Sequence, residues 1–217
     1  MESVSGVGVL DKSVLVLHAL SGAANGMSLT DLQDATSLPR ATAHRLAGAL
    51  EDHGLVRRNA DGRYVLGFTL AALAGAAQRQ FPLASAARPV LERLVATTGE
   101  SVQLYVREGD NRRCVLSLQS PHGLRWIITE GEVYPLGRGS AGHVLAGQAL
   151  AKSGWIESVA EREAGVASVS APVRIDGNTI AAVSISGPIE RLTRNPGRKF
   201  GSAVKKAAAE IESLRPL

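Results

Sequence analysis

A single cysteine in 217 residues leaves an internal disulfide without its second half and excludes a cysteine-rich metal cluster. It is Cys114, set in the apolar run Cys114-Val115-Leu116, where a thiol packs as a small core residue rather than reacting. No apolar stretch approaches the roughly 18 to 20 residues of a membrane span, and Met1-Glu2-Ser3-Val4-Ser5 lacks the basic and apolar regions of a signal peptide. A soluble, cytoplasmic protein with no membrane partner is therefore expected. Charge of one sign is scarce as well. The formal net charge is +4, and residues 1–80 carry seven basic and seven acidic side chains. Nucleic-acid binding cannot then rest on a basic N-terminal domain; it has to rest on where a few charges are placed. No Ser-His-acid arrangement is discernible, so no catalytic residue, metal or cofactor is expected.

A chain of 217 residues, 45% hydrophobic, is awkward for one domain and natural for two. The first helix reads from about Gly8 to Leu20, with Leu10, Val14, Leu17 and Leu20 on one face. After the Gly22–Gly26 turn, Ser28-Leu29-Thr30-Asp31 has the form of an N-cap followed by an acid where the helix dipole favours one, opening a second helix to Thr36. Ser37 and Leu38-Pro39 stop it, and a third helix runs from Pro39 to Asp52 with Ala43, Leu46, Ala47 and Leu50 inward. Leu55–Gly67 then holds two short apolar segments around Asp61-Gly62, a hairpin. Two short helices joined by a tight turn and followed by a hairpin make a winged helix-turn-helix.

Five of the seven N-terminal basic residues, Arg40, Arg45, Arg57, Arg58 and Arg63, fall between 40 and 63. In a major groove, Ala41 and Ala43 allow close approach, Thr42 and His44 can reach phosphates or base edges, and Arg40 and Arg45 can do either. Arg63 on the wing suits a minor-groove or phosphate contact, and Ser28 stands at the start of the second helix. The competing reading pairs Arg45 with an acid on helix two and leaves His44 as surface cover. A second basic group, Arg191, Arg194, Arg198, Lys199, Lys205, Lys206 and Arg215, reads as a solvated helix face.

From Phe68 to Thr98 two alanine-rich helices broken at Phe81-Pro82 read as a linker. Beyond Ser101 come strands at Val102–Arg107, Arg113–Leu118 and Leu124–Thr129, then a hairpin of Val166–Arg174 and Thr179–Ser186 around Asp176-Gly177, and a helix from Gly197 to Leu214. This implies an antiparallel α+β domain. Within it, Gly137, Gly139 and Gly142 satisfy G-x-G-x-x-G, with Glu161 about twenty residues later, but the neighbours are hairpins rather than a βαβ unit. Arg138 breaks the G-x-S-x-G pattern of a nucleophile elbow. What remains is an anion site: Gly139, Ser140 and Ala141 open a helix expected to reach Lys152, with free N–H groups at its start.

Several stretches carry a resemblance. Gly8-Val9-Leu10-Asp11-Lys12-Ser13, Leu38-Pro39-Arg40-Ala41-Thr42-Ala43-His44-Arg45-Leu46 and Gly67, with Glu161–Val173 and Ala182–Pro188 further on, resemble the IclR family of bacterial transcription regulators. Together with Glu190-Arg191-Leu192-Thr193, the chain looks like the actinobacterial NdgR-like subgroup. The resemblance implies a winged helix-turn-helix at residues 6–67, a linker helix at 68–81 and a GAF-like sensor domain at 82–217. It also implies an effector pocket at Gly139, Ser140, Ala141, Ser184 and Ser186, with an acidic or polar position near Glu161 or Glu163. Leu104, Leu124 and Trp126 are candidates for its apolar wall, though Trp126 reads equally well as core. Ser184 and Ser186 share one strand face and stand or fall together. Family members carry more chain between the Ser140 loop and Glu161 than Val144 to Val159 supplies here.

The function expected is therefore a ligand-responsive regulator of amino-acid metabolism, leucine biosynthesis in particular. Its partners would be double-stranded operator DNA with an inverted repeat, read by a dimer or tetramer, and an amino acid or other small carboxylate. Two other readings stay open: a regulator without a small-molecule effector, controlled by partner proteins, and, more remotely, an enzyme acting on small carboxylates or esters.

Overall fold

The computed structural model describes residues 6–80, 82–150 and 153–214. Met1–Ser5, Phe81, Lys152 and Arg215, which enter the sequence argument above, lie outside the described residues. The chain divides into two units, Met1–Gln80 and Phe81–Leu217.

In the first unit α1 (Gly8–Ser21) precedes α2 (Leu29–Thr36) and α3 (Arg40–Asp52). The buried face of α1 is carried by Val16 and Leu20, with Leu17 and Ala19 partly covered. Leu10 and Val14, expected inside, are exposed. Ser28 caps α2: its Oγ accepts the Asp31 N–H at 3.1 Å while the Asp31 carboxylate accepts the Ser28 N–H at 2.9 Å, a reciprocal capping box. The helix ends at Ser37, whose φ of 54° is left-handed. Pro39 stands just outside α3, its carbonyl accepting the Thr42 and Ala43 N–H groups. Ala43, Leu46, Ala47 and Leu50 are all buried as their spacing predicts. The wing is β1 (Val56–Arg58) paired antiparallel with β2 (Tyr64–Leu66), and Met27 adds a bridge to Tyr64. α4 (Phe68–Gln80) follows.

The second unit is built on one antiparallel sheet of order β5-β4-β3-β8-β7-β6. Its strands are β3 (Ser101–Glu108), β4 (Asn111–Leu118), β5 (Val133–Pro135), β6 (Ile156–Val159), β7 (Val166–Ile175) and β8 (Asn178–Pro188). α5 (Leu83–Thr98) and α8 (Pro196–Ser213) cover one face, burying Leu83, Leu91 and Leu94 with Val204 and Ile211 against Val102, Leu104, Val169, Val183 and Ile185. Each of these large side chains contributes about 1.5–3 kcal/mol relative to exposure. α5, expected in a linker, is thus part of the sensor core, because its apolar stripe has the sheet to cover. The other face holds α6 (Ser140–Leu145) over Tyr105, Cys114 and Ala182. A single turn, α7 (Ile189–Leu192), links β8 to α8.

Two expected elements differ. Leu124–Thr129 forms no strand; side-chain hydroxyls hold it instead, Ser101 Oγ donating to the Trp126 carbonyl and Ser117 Oγ to that of Ile128. α6 stops at Leu145, followed by Gly147 at φ +79°, well short of Lys152. Cys114 is buried, as its apolar run implied, and burial pushes its thiol up to about 12. Among the described residues no helix is long and apolar enough to cross a membrane.

Candidate functional site

The exposed face of α3 presents Arg40, Ala41, His44 and Arg45, with Thr42 half-buried at its edge and Ala43 fully inside. Arg40 donates weakly to Gln33 of α2 at 3.3 Å. Among the described residues, Arg45 and His44 form no hydrogen bond or ion pair, so the expected competing bond between Arg45 and an acid on helix two is not made. Two other sequence candidates are already occupied. Arg63 donates to the Asp31 carboxylate at 2.6 Å and to the Gly26 carbonyl at 3.1 Å, which ties the wing to α2 and corrects the expectation of an outward-reaching wing arginine. Ser28 spends its hydroxyl on the α2 cap. Arg58 is stacked 4.4 Å from the Tyr64 ring centre, donates to its hydroxyl at 2.7 Å and pairs with Glu51 at 3.5 Å. Arg57, exposed and stacked 4.8 Å from the Phe68 ring, is the wing cation without an acid partner among the described residues. Its place in the 40–63 cluster was the available signal.

In the second unit, the face under α6 encloses a small cavity of about 30 Å³, lined among others by Tyr105, Arg112, Gly139, Ser140, Ala141 and Ser168. Ser184 and Ser186 line it too, as sequence suggested. Ser140 Oγ lies 2.7 Å from both Ser168 Oγ and Ser170 Oγ. Strand parity decides the rest. β3 pairs Gln103 with Ser184 and Leu104 with Val183; Leu104 therefore points with Val183 into the helix-covered core, and it is Gln103, bonded to Ser186 at 2.8 Å, that stands on the serine face. Leu104 is thus removed from the cavity wall, and so is Leu124, which is 71% exposed. Trp126 packs at the edge of the cluster under α6, with Arg162 5.1 Å from its ring centre.

Glu161 does not line the cavity either. Its carboxylate accepts the Gly139 N–H at 2.9 Å and the Ser158 hydroxyl at 2.6 Å, and lies 2.6 Å from His143 Nε2. Burial raises its pKa, but the bonds from Ser158, His143 and Gly139 outweigh that, and the net direction is down. A side chain of the protein thus occupies the amide that sequence left open for a ligand, and α6, at six residues, is too short to add a strong dipole. The sequence also missed Arg112, whose guanidinium lies in the interior at 2% exposure; a basic residue in a strand ordinarily reads as solvent-facing.

A charge-balanced winged helix-turn-helix with a free cation on its third helix, followed by an antiparallel sheet enclosing a polar cavity, defines a two-domain DNA-binding regulator. The IclR helix-turn-helix domain profile matches residues 9–60, and the profile described as bacterial transcriptional regulator IclR C-terminal matches residues 75–149 and 148–213. The chain belongs to the IclR family of DNA-binding transcriptional regulators. It is 26% identical over 238 residues to the glycerol operon regulatory protein of Streptomyces griseus, covering 93% of this chain and 94% of that one. To the transcriptional repressor IclR of Escherichia coli it is 22% identical over 240 residues, covering 93% and 88%. In structure it is similar to the IclR of Thermotoga maritima, with TM-score 0.76 at 20% identity over 97% and 99% of the two chains. It is also similar to an IclR homolog of Microbacterium hydrocarbonoxydans complexed with 4-hydroxybenzoate, with TM-score 0.77 at 22% identity over 94% and 98%. These relatives are regulators, not enzymes. The C-terminal profile matches in two pieces that meet at residues 148–149, inside the stretch that the sequence showed to be short.

Proposed function

We propose that the protein binds an inverted-repeat operator as a dimer or tetramer, with α3 in the major groove, and that a small carboxylate held under α6 changes the spacing of the two recognition helices. Residues 6–67 would be the DNA-binding domain, 68–81 the linker and 82–217 the effector domain, working in the cytoplasm. The observation that carries this reading is the contrast within one charge-balanced domain: Arg58 and Arg63 are paired internally, while Arg45 and His44 on the exposed face of α3 are left free for phosphates or base edges. The NdgR-like sequence features support target genes of amino-acid metabolism, leucine biosynthesis in particular. A footprint on the region upstream of its own gene and on a leucine-biosynthesis operon tests this. Protection of two half-sites about one helical turn apart supports it; no protected region in either contradicts it.

A second reading, a regulator governed by partner proteins without a small-molecule effector, has one observation in its favour. Glu161 already occupies the Gly139 amide. Absence of any thermal stabilisation by amino and keto acids at millimolar concentration would favour it.

A further inference from the structure

The cavity under α6 contains a buried cation with no acid of its own. Arg112 Nη1 donates to the carbonyl oxygens of Pro135 and Arg138, and its Cζ lies 5.4 and 5.5 Å from the ring centres of Tyr105 and Tyr134. Among the described residues no carboxylate pairs with it, and Nε has no partner at all. Glu161, the nearby acid, is spent on Gly139, Ser158 and His143. Burial without a counter-ion is unfavourable for a guanidinium, and desolvation draws the pKa of Arg112 down. Two carbonyl contacts could be made by a neutral donor, so they do not account for the charge.

A second observation points the same way. Among the described residues three buried side-chain nitrogens lack a partner, Gln103 Nε2, Arg112 Nε and Trp126 Nε1, and all three are N–H donors. Gln103 bonds the cavity-lining Ser186, and Trp126 belongs to the cluster under α6. Of the three, Arg112 is the one that lines the cavity; buried donors ordinarily find acceptors, and a buried cation with an unmet donor lacks an anion. Arg162, 4.6 Å from the Tyr134 ring, adds a second cation to the lining, and among the described residues Glu163 is the one acid there. The cavity is small, about 30 Å³, which favours the smallest acids as probes.

Resting on the effector-cavity reading above, we infer that Arg112 is the specificity-determining residue of this site: it supplies the charge that admits small carboxylates and rejects their uncharged isosteres. The test is thermal shift and calorimetry with pyruvate and malonate against pyruvamide and malonamide. On the unaltered protein the acids stabilise and the amides, at ten times the concentration, do not. Arg112→Met weakens acid binding at least about tenfold, the scale of one hydrogen bond to a charged group, and Arg112→Lys recovers part of it, while both variants still bind operator DNA. Because Arg112→Met also loses the bonds to Pro135 and Arg138 and can unfold the sheet edge, the acid–amide comparison stands without it. Equal binding of acid and amide, lost in Ser184→Leu, leaves the cavity reading intact and overturns the role of Arg112, as does a folded Arg112→Met that binds acids unchanged. No binding of either acid overturns both.

Discussion

Arg191 donates Nε and Nη2 to the two carboxylate oxygens of Glu100, at 2.7 and 2.8 Å, and so ties the turn after β8 to the corner where α5 gives way to β3. Glu100 is 2% exposed, whereas a quarter of the Arg191 side chain remains accessible. Gly187 is the neighbour that makes room, since a Cβ there would come within 2.7 Å of Glu100 Oε2. The Glu190–Thr193 stretch, which looked like a subgroup marker, thus has a structural task.

Removing the cation strands a buried carboxylate. Arg191→Ala is expected to destabilise the second unit by about 3 kcal/mol, the low end for a broken buried pair because the arginine is partly solvated. Glu100→Met with Arg191→Leu should recover most of that. Thermal unfolding of the native protein and the two variants checks it; equal losses in the single and double variants would show that the pair contributes little.

The capping box of α2 gives a pH signature. Asp31 is held below the ordinary 3.8 first by the Ser28 N–H, then by the Ser28 hydroxyl and Arg63. A carboxyl with a depressed folded pKa contributes stability that is complete above its unfolded value and is lost as pH falls through the folded one. The stability gap between the native protein and Asp31→Asn should therefore be constant at neutral pH and close only below about pH 4. Unfolding followed by circular dichroism between pH 2 and 7 measures the gap, and one that widens on acidification would contradict this. Ser28→Ala should cost about 1 kcal/mol, as for other lost N-caps.

Gly67 closes the wing onto the end of α3. Its N–H donates to the Leu55 carbonyl at 2.8 Å, and a Cβ at this position would fall on the Gly54 carbonyl. That neighbour is backbone and cannot swing aside. Gly67→Ala is expected to cost about 1–3 kcal/mol or more, read as a lower midpoint in denaturant with wing resonances displaced; an unchanged midpoint would mean that the wing moves freely.

How much of this was legible depends on periodicity. The inward stripe of α3, Ala43, Leu46, Ala47 and Leu50, follows from helical spacing, and its polar side is what remains. The capping residues and the Asp61-Gly62 turn declare themselves by residue type. Strand β3 does not: Val102-Gln103-Leu104-Tyr105 alternates weakly, and a bulge between Leu104 and Tyr105 interrupts the register with β4. Only the ladder with β8 shows that Gln103 and not Leu104 lies on the face of Ser184 and Ser186. Arg112 was hidden for a similar reason, since its burial depends on Gly139 and Gly142 packing against the guanidinium, a contact between segments far apart in sequence. Arg63 was read correctly as a wing residue, but its partner Asp31 lies on another element.

The Gly139 loop rests on Glu161. Glu161→Gln keeps an acceptor while losing the charge, and amide exchange at Gly139–His143 should rise several-fold with the rest of the sheet unchanged. Unaltered exchange would show that the carboxylate is a bystander.

The central claim is that DNA is held by a few placed side chains of α3. The most direct measurement is fluorescence anisotropy of an upstream operator fragment, titrated with native protein and with Arg45→Ala across a range of salt. The account predicts salt-sensitive binding by the native protein, a loss of about 1–3 kcal/mol in the variant and, if Arg45 contacts a phosphate, a salt slope smaller by about one. Salt-insensitive binding, or a variant with unchanged affinity and slope, would contradict it.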